Sequence, residues 1–168
     1  EILFDKTGTL STGILTIKEF KVLDNFPERD ARSIIYNLEM FSSHPIATSL
    51  LKELKSTATP IPLLHVVETK GKGMQAETAD GKKIRFGSRR ILNETNLAPA
   101  GDLFLTINDK LACTISLGDE LREGAKEVIR LFNSYGVKTT LVSGDRKEKC
   151  EVVGKELGIM EIHAEKLP

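Results

Sequence analysis

The chain of 168 residues lacks several things that would otherwise narrow its role. It has no net charge, with 24 basic residues balancing 24 acidic ones, so there is no electrostatic case for nucleic acid or an anionic membrane as partner. Only two cysteines occur, Cys113 and Cys150, with no CxxC or other metal-ligand spacing. They read as free thiols of a reducing compartment. There is no signal peptide and no apolar run near the ~18 residues of a membrane span, so this segment has no direct membrane contact of its own. Repeats and low-complexity tracts are missing too. The remaining composition, 40% hydrophobic and 29% charged, is that of a soluble globular protein with one ordinary domain or two small ones.

The chemistry starts near the beginning. An apolar run, Ile2-Leu3-Phe4, leads into Asp5-Lys6-Thr7-Gly8-Thr9-Leu10. That order predicts a buried strand delivering a carboxylate to a loop at its C-terminal edge, the edge where open α/β sheets bind ligands. A carboxylate placed there can attack a phosphoryl group and give an acyl phosphate. Loop N–H groups, with Lys6, would offset the charge of the transferring group. One further absence matters: the position two residues on holds Thr7, which can neither protonate a leaving group nor activate water near neutral pH. An aspartyl phosphate formed at Asp5 should therefore persist.

Further along, Leu15 to Leu23 predicts a strand. Pro27-Glu28-Arg29-Asp30 predicts a helix start, with Asn25 or Asp30 as cap and Ile34, Ile35, Leu38 and Phe41 on one face. Helical spacing breaks at Ser42-Ser43-His44-Pro45 and resumes from Ile46 to Leu54. From Leu63 the period becomes two. Strands are expected at 64–67, 74–78 and 83–86, with the turns Gly71-Lys72-Gly73 and Asp80-Gly81 between them. After a helical turn at 88–92, a hairpin follows from strands 103–107 and 111–117. The pattern then returns to βα: helix 120–135, strand 137–142, helix 146–157 and a short strand 159–163. Residues 1–19 plus 118–168 thus form a split parallel α/β domain, and residues 20–117 form an inserted α+β domain with an antiparallel sheet. The abrupt start at Glu1 and the end at Lys166-Leu167-Pro168 suggest an excised piece.

Two other stretches can carry chemistry. Ser143-Gly144-Asp145 ends a strand and precedes a helix, which suits either a phosphate seat or an ordinary N-cap. In the insert, His44 follows Glu39 by five residues and precedes the Gly71-x-Gly73 turn by 27. A neutral imidazole can stack on or hydrogen-bond to an adenine, a carboxylate can accept from its exocyclic amine, and glycines let the backbone come close. Asp119, in Gly118-Asp119-Glu120-Leu121-Arg122, reads as a helix N-cap, and Lys166 as solvated.

The Asp5–Leu10 hexamer is the phosphorylation signature of P-type ATPases, and the whole chain resembles their cytoplasmic catalytic loop. Haloacid-dehalogenase-type hydrolases usually have a second Asp where Thr7 stands. Ser143, Gly144 and Asp145 match the P-type Thr-Gly-Asp-Asn in type, and Arg146 departs from it. Glu39, His44, Gly71 and Gly73 match the nucleotide-binding domain of the heavy-metal branch, with Gly87 in the later Phe86-Gly87-Ser88-Arg89. Ser43 replaces the Glu of Ser-Glu-His-Pro and Ser88 replaces an Asn, which should weaken nucleotide binding about tenfold. The resemblance implies a haloacid-dehalogenase-like, Rossmann-like phosphorylation domain split by a nucleotide-binding domain. It implies ATP, with its adenine at Glu39, His44, Gly71, Gly73 and Gly87. The γ-phosphoryl would pass to Asp5, placed by Lys6, Ser143, Gly144 and Asp145. Mg²⁺ would be held by Asp5 and the Thr7 carbonyl, and hinges would lie near residues 19 and 117. The expected whole is an integral-membrane metal pump, copper being the expected cargo. Its transmembrane, actuator and metal-binding domains would be the partners of this cytoplasmic part. A stand-alone phosphatase and a nucleotide-binding-only fragment are the alternatives.

Overall fold

The structure, a computed structural model, describes residues 1–92 and 100–166; Leu167-Pro168 at the chain's end lie outside the described residues. In chain order, strands β1 (Ile2–Asp5) and β2 (Ser11–Val22) precede helices α1 (Glu28–Glu39) and α2 (Pro45–Leu54). Strands β3 (Leu63–Thr69), β4 (Gly73–Thr78), β5 (Lys83–Gly87), β6 (Leu103–Ile107) and β7 (Lys110–Leu121) follow. The last elements are α3 (Ala125–Ser134), β8 (Thr139–Val142), α4 (Lys147–Leu157) and β9 (Glu161–His163). The chain divides into two compact units, Glu1–Ile14 with Gly118–Pro168, and Leu15–Leu117.

In the first unit a three-stranded parallel sheet has the order β1-β8-β9. Its middle strand, Thr139-Thr140-Leu141-Val142, is a β-branched and apolar run, as a strand covered on both faces requires. Thr140 and Leu141 are fully buried. Ala125 and Ile129 of α3 and Cys150 and Leu157 of α4 pack with Leu141 and Ile159. Helix α4 stops at Gly158, whose φ of +82° suits a residue without Cβ.

The second unit carries most of a six-stranded sheet of order β2-β7-β6-β5-β4-β3, antiparallel from β3 through β7. One face of α1 (Ala31, Ile34, Ile35, Leu38) and the Leu50 and Leu54 side of α2 bury against it. Both predicted hairpin turns are present. Asn108 and Asp109 take φ of +48° and +64° between β6 and β7, as a two-residue loop matching strand twist demands.

Several local expectations are corrected. Strand β7 continues through Leu121, so α3 begins at Ala125 rather than at Glu120. Asp119 therefore lies in a strand, and the N-cap of α3 is Gly124. Neither Asn25 nor Asp30 caps α1. Its N-cap is Pro27, and Asn25 sits at φ +56° in the preceding turn. Phe41 falls beyond the end of α1 and is exposed, since the chain leaves the helical path at Met40.

Candidate functional site

Asp5 is the last residue of β1 and is paired in register with Val142, the last of β8. Parallel pairing thus puts Asp5 and the Ser143-Gly144-Asp145 turn at the same C-terminal edge. Asp5 is exposed there. The chain then makes one wide turn from Lys6 to Leu10, closed by the Ser11 N–H donating to the Lys6 carbonyl. Gly8 occupies the left-handed region at φ +83°.

Lys6 faces the other way from Asp5, as alternation along an extended chain dictates. Only 4% exposed, its ammonium pairs with Asp119 and lies 2.6 Å from an Asp145 oxygen. Burial alone would lower its pKa, but the hydrogen bonds to Asp119 and Asp145 outweigh that and raise it. Its charge is therefore already matched by two carboxylates, so it is not a free counter-charge in the loop. Ser11 Oγ donates to the Lys6 carbonyl at 3.1 Å, and the Arg122 guanidinium donates to the Gly8 carbonyl at 2.9 Å. The Gly118–Arg122 segment thereby braces the loop that carries Asp5. Ser143 is buried, and its Oγ accepts the Asp145 N–H at 3.2 Å. Asp5, Lys6, Ser143, Gly144 and Asp145 are brought together. Asp119 and Arg122 join them, and local sequence did not reveal this because the Lys6 partner lies 113 residues away.

The second unit contains a cavity of about 230 Å³. Glu39, His44, Gly71, Gly73 and Gly87 all line it, with Leu50, Met74, Phe86 and Leu103 supplying apolar walls. Glu39, the last residue of α1, is 6% exposed, and its carboxyl has no hydrogen bond or ion pair among the described residues. Burial, with the nearby negative charge of Glu68, pushes its pKa up to about 7. Glu68, also in the lining, is instead satisfied. It accepts from the Ser43 N–H and Oγ, both at 3.0 Å, and from Ser42 Oγ at 3.3 Å, and these bonds hold its pKa down. Ser43, the departure from Ser-Glu-His-Pro, thus recruits an acid from β3. His44 caps α2 through Nδ1, which accepts the Ile46 N–H at 3.2 Å. A neutral ring in that arrangement carries its proton on Nε2. Ser88 Oγ donates to the Gly71 carbonyl at 3.0 Å.

The glycines acquire a further reason. A Cβ on Gly73 would lie 2.2 Å from the Phe86 carbonyl oxygen, and one on Gly87 would lie 2.1 Å from that of Lys72. Close approach of β4 to β5 demands both, whatever the cavity holds.

Among the described residues no group of three or more His, Cys, Asp or Glu could hold a metal ion. The expected Mg²⁺ donors, the Asp5 carboxyl and Thr7 carbonyl, suit an ion bound by one carboxylate and completed by substrate phosphates and water, the usual manner for this cation.

The model of the haloacid dehalogenase-like hydrolase family matches residues 2–167. The zinc-transporting ATPase of Bacillus subtilis is 30% identical over 99% of the chain and 28% of its own length. The copper-transporting ATPase of Helicobacter felis is 31% identical over 99% of the chain and 23% of its own. Among solved structures, the catalytic domain of the CPx-ATPase CopB-B, studied for its conformational changes upon nucleotide binding, superposes with a TM-score of 0.74 at 25% identity. That match covers 98% of this chain and 60% of the other. The chain spans about a quarter of the length of the curated relatives it matches.

Proposed function

We propose, for a chain that belongs to the haloacid dehalogenase-like hydrolase family, that it is the nucleotide-binding and phosphorylation part of a heavy-metal-transporting P-type ATPase. The pump's other domains would be its partners, and this part would lie on the cytoplasmic side. Relatives named for zinc and for copper are almost equally similar, so the cargo is a heavy-metal cation without further choice. The carrying observation is Asp5: an exposed carboxylate ending a parallel strand, two residues before Thr7, at the edge it shares with Ser143–Asp145.

In this reading the insert's cavity takes the base of ATP and the γ-phosphoryl is offered to Asp5. A carboxylate oxygen of Asp5 bonds to the γ-phosphorus as the bond to the β–γ bridging oxygen breaks, and ADP leaves. Mg²⁺, held by Asp5 and the Thr7 carbonyl, would neutralise phosphate charge. Loop N–H groups between Lys6 and Thr9 and the start of α4 orient the phosphoryl group. Lys6 acts by holding Asp119 and Asp145 in place. Thr7 supplies no base for water, so the acyl phosphate persists. The test is brief incubation with γ-labelled ATP and Mg²⁺ followed by acid quenching. Label should stay on the wild-type protein and be absent from Asp5→Asn. Equal labelling of the variant, or rapid release of phosphate from simple phosphomonoesters, would reject the reading.

A further inference from the structure

The cavity of the second unit contains an acid whose protonation state the nucleotide reading leaves open. Its wall is mostly apolar, yet Glu39 is buried in it with no partner among the described residues. An isolated carboxylate in such a place is expensive, and it neutralises by keeping its proton. Two placements reinforce this. Glu39 is the last residue of α1, where the helix dipole disfavours an anion. Glu68, the carboxylate whose charge reaches Glu39, accepts hydrogen bonds from Ser42 and Ser43 that favour its ionised form, so of the pair it is Glu39 that takes the proton. The cavity's other titratable groups, by element, are His44 at the start of α2, Lys72 in the β3–β4 turn and Asp102 ahead of β6. Asp102 is occupied with the Leu117 N–H at 2.8 Å.

The two states of such an acid read purines differently. A neutral carboxyl both donates and accepts, so it can accept from the exocyclic amine of adenine and donate to the adjoining ring nitrogen. A carboxylate only accepts. It makes one bond to adenine and faces a ring-nitrogen lone pair with the other oxygen, whereas guanine offers it two donors, N1–H and the amine. The volume of about 230 Å³ lies below the ~300–1,000 Å³ of whole-ligand pockets. It suits a base with its ribose and phosphates outside.

We propose that Glu39 meets the base as a neutral carboxylic acid making two hydrogen bonds to adenine, and that ionisation of this one side chain erases the site's preference for adenine over guanine. This rests on the nucleotide reading of the cavity and adds what decides the base. The pKa of about 7 puts the change within an ordinary buffer range.

The test is calorimetric measurement of ATP and GTP dissociation constants at pH 6 and pH 8.5. Both ligands carry the same triphosphate, so the ratio of the GTP to the ATP constant cancels titration of the phosphates. In the wild type the ratio should fall roughly tenfold or more as the acid ionises. In Glu39→Gln, whose amide offers the same donor and acceptor, it should stay near the pH 6 wild-type value at both pH values. A wild-type ratio that does not move with pH overturns the proposal. So does a Glu39→Gln variant that loses adenine preference at pH 6. Binding of neither nucleotide at either pH would overturn the cavity's nucleotide role itself, an outcome distinct from the other two.

Discussion

Each unit buries a carboxylate, and the two meet opposite fates. Asp119 in the first unit finds Lys6, a cation brought from 113 residues away, with Asp145 on the same ammonium. Glu39 in the second unit is 6% exposed and finds no cation among the described residues. Where a partner exists the two side chains pair and order a loop. Where none exists the carboxyl keeps its proton, and Glu39 titrates near 7. Burial alone does not tell what a carboxylate does; the neighbour decides. The first arrangement stiffens the edge that carries Asp5, and the second leaves a hydrogen-bonding group unspent inside a cavity.

The comparison breaks most visibly if the cation is removed. Lys6→Met leaves Asp119 and Asp145 facing each other without compensation, and should cost about 3–5 kcal/mol. The loss should appear in hydrogen-exchange protection of β1, β8 and α4, with β4 to β6 unchanged. A loss below about 1 kcal/mol would mean that the buried pair contributes little. Adding Asp119→Asn to Lys6→Met should restore part of the loss.

A backbone counterpart tests the cavity wall without touching charge. Gly73→Ala forces a Cβ against the Phe86 carbonyl, and should cost at least about 2 kcal/mol in the second unit by urea denaturation. A neutral result would show that β4 and β5 can separate there.

For Glu39 the sign follows from its two pKa values. The unfolded chain releases this proton near pH 4.5 and the folded one near 7. The folded state therefore binds the extra proton between those values. Stability falls as pH rises from about 4.5 to about 7 and stays at the lower level above that. Glu39→Gln removes the fall: it should stabilise the protein by on the order of 2 kcal/mol at pH 8 and hardly at all at pH 4.5. Equal effects at both pH values, seen in thermal melts, would contradict a neutral folded Glu39.

The smallest effect concerns the substituted turn. Ser43→Ala deletes one hydroxyl bond to Glu68 but leaves the Ser43 N–H in place. It should leave the melting temperature nearly unchanged, while the Glu68 carboxyl titrates slightly higher by carbon-detected NMR. No movement of that titration would mean that the N–H alone holds Glu68.

Much of the fold could be read from local pattern. The β-branched run from Thr139 to Val142 and the Asx- and Gly-bearing turns of the insert are short-range signals, and short-range sterics act on them in the native state. The apolar run ahead of Asp5 gave a strand as expected but not a buried one: β1 lies at the edge of its sheet with Leu3 64% exposed. The family match and the observed sheets agree with the predicted α/β architecture and its inserted antiparallel sheet. Residue patterns failed where long-range pairing overrode them. Gly118-Asp119-Glu120 looks like a helix entry, yet the ladder of β7 runs through it and moves the helix start to Ala125. The glycines at 73 and 87 were legible as glycines near a ligand. That each makes room for the strand opposite appeared only once β4 and β5 were paired.

The order of residues was enough to put an acid at the end of a strand and no second acid at Thr7, because both follow from covalent neighbours. It was also enough to set helix against strand along most of the chain, since hydrophobic period is a local property. Only the tertiary structure decided that Lys6 turns inward to Asp119 and Asp145, and that Glu39 is buried with no cation beside it among the described residues. Those outcomes depend on which side chains the fold brings within a few ångströms and on how much water it removes from them, and no span of neighbouring residues contains that information.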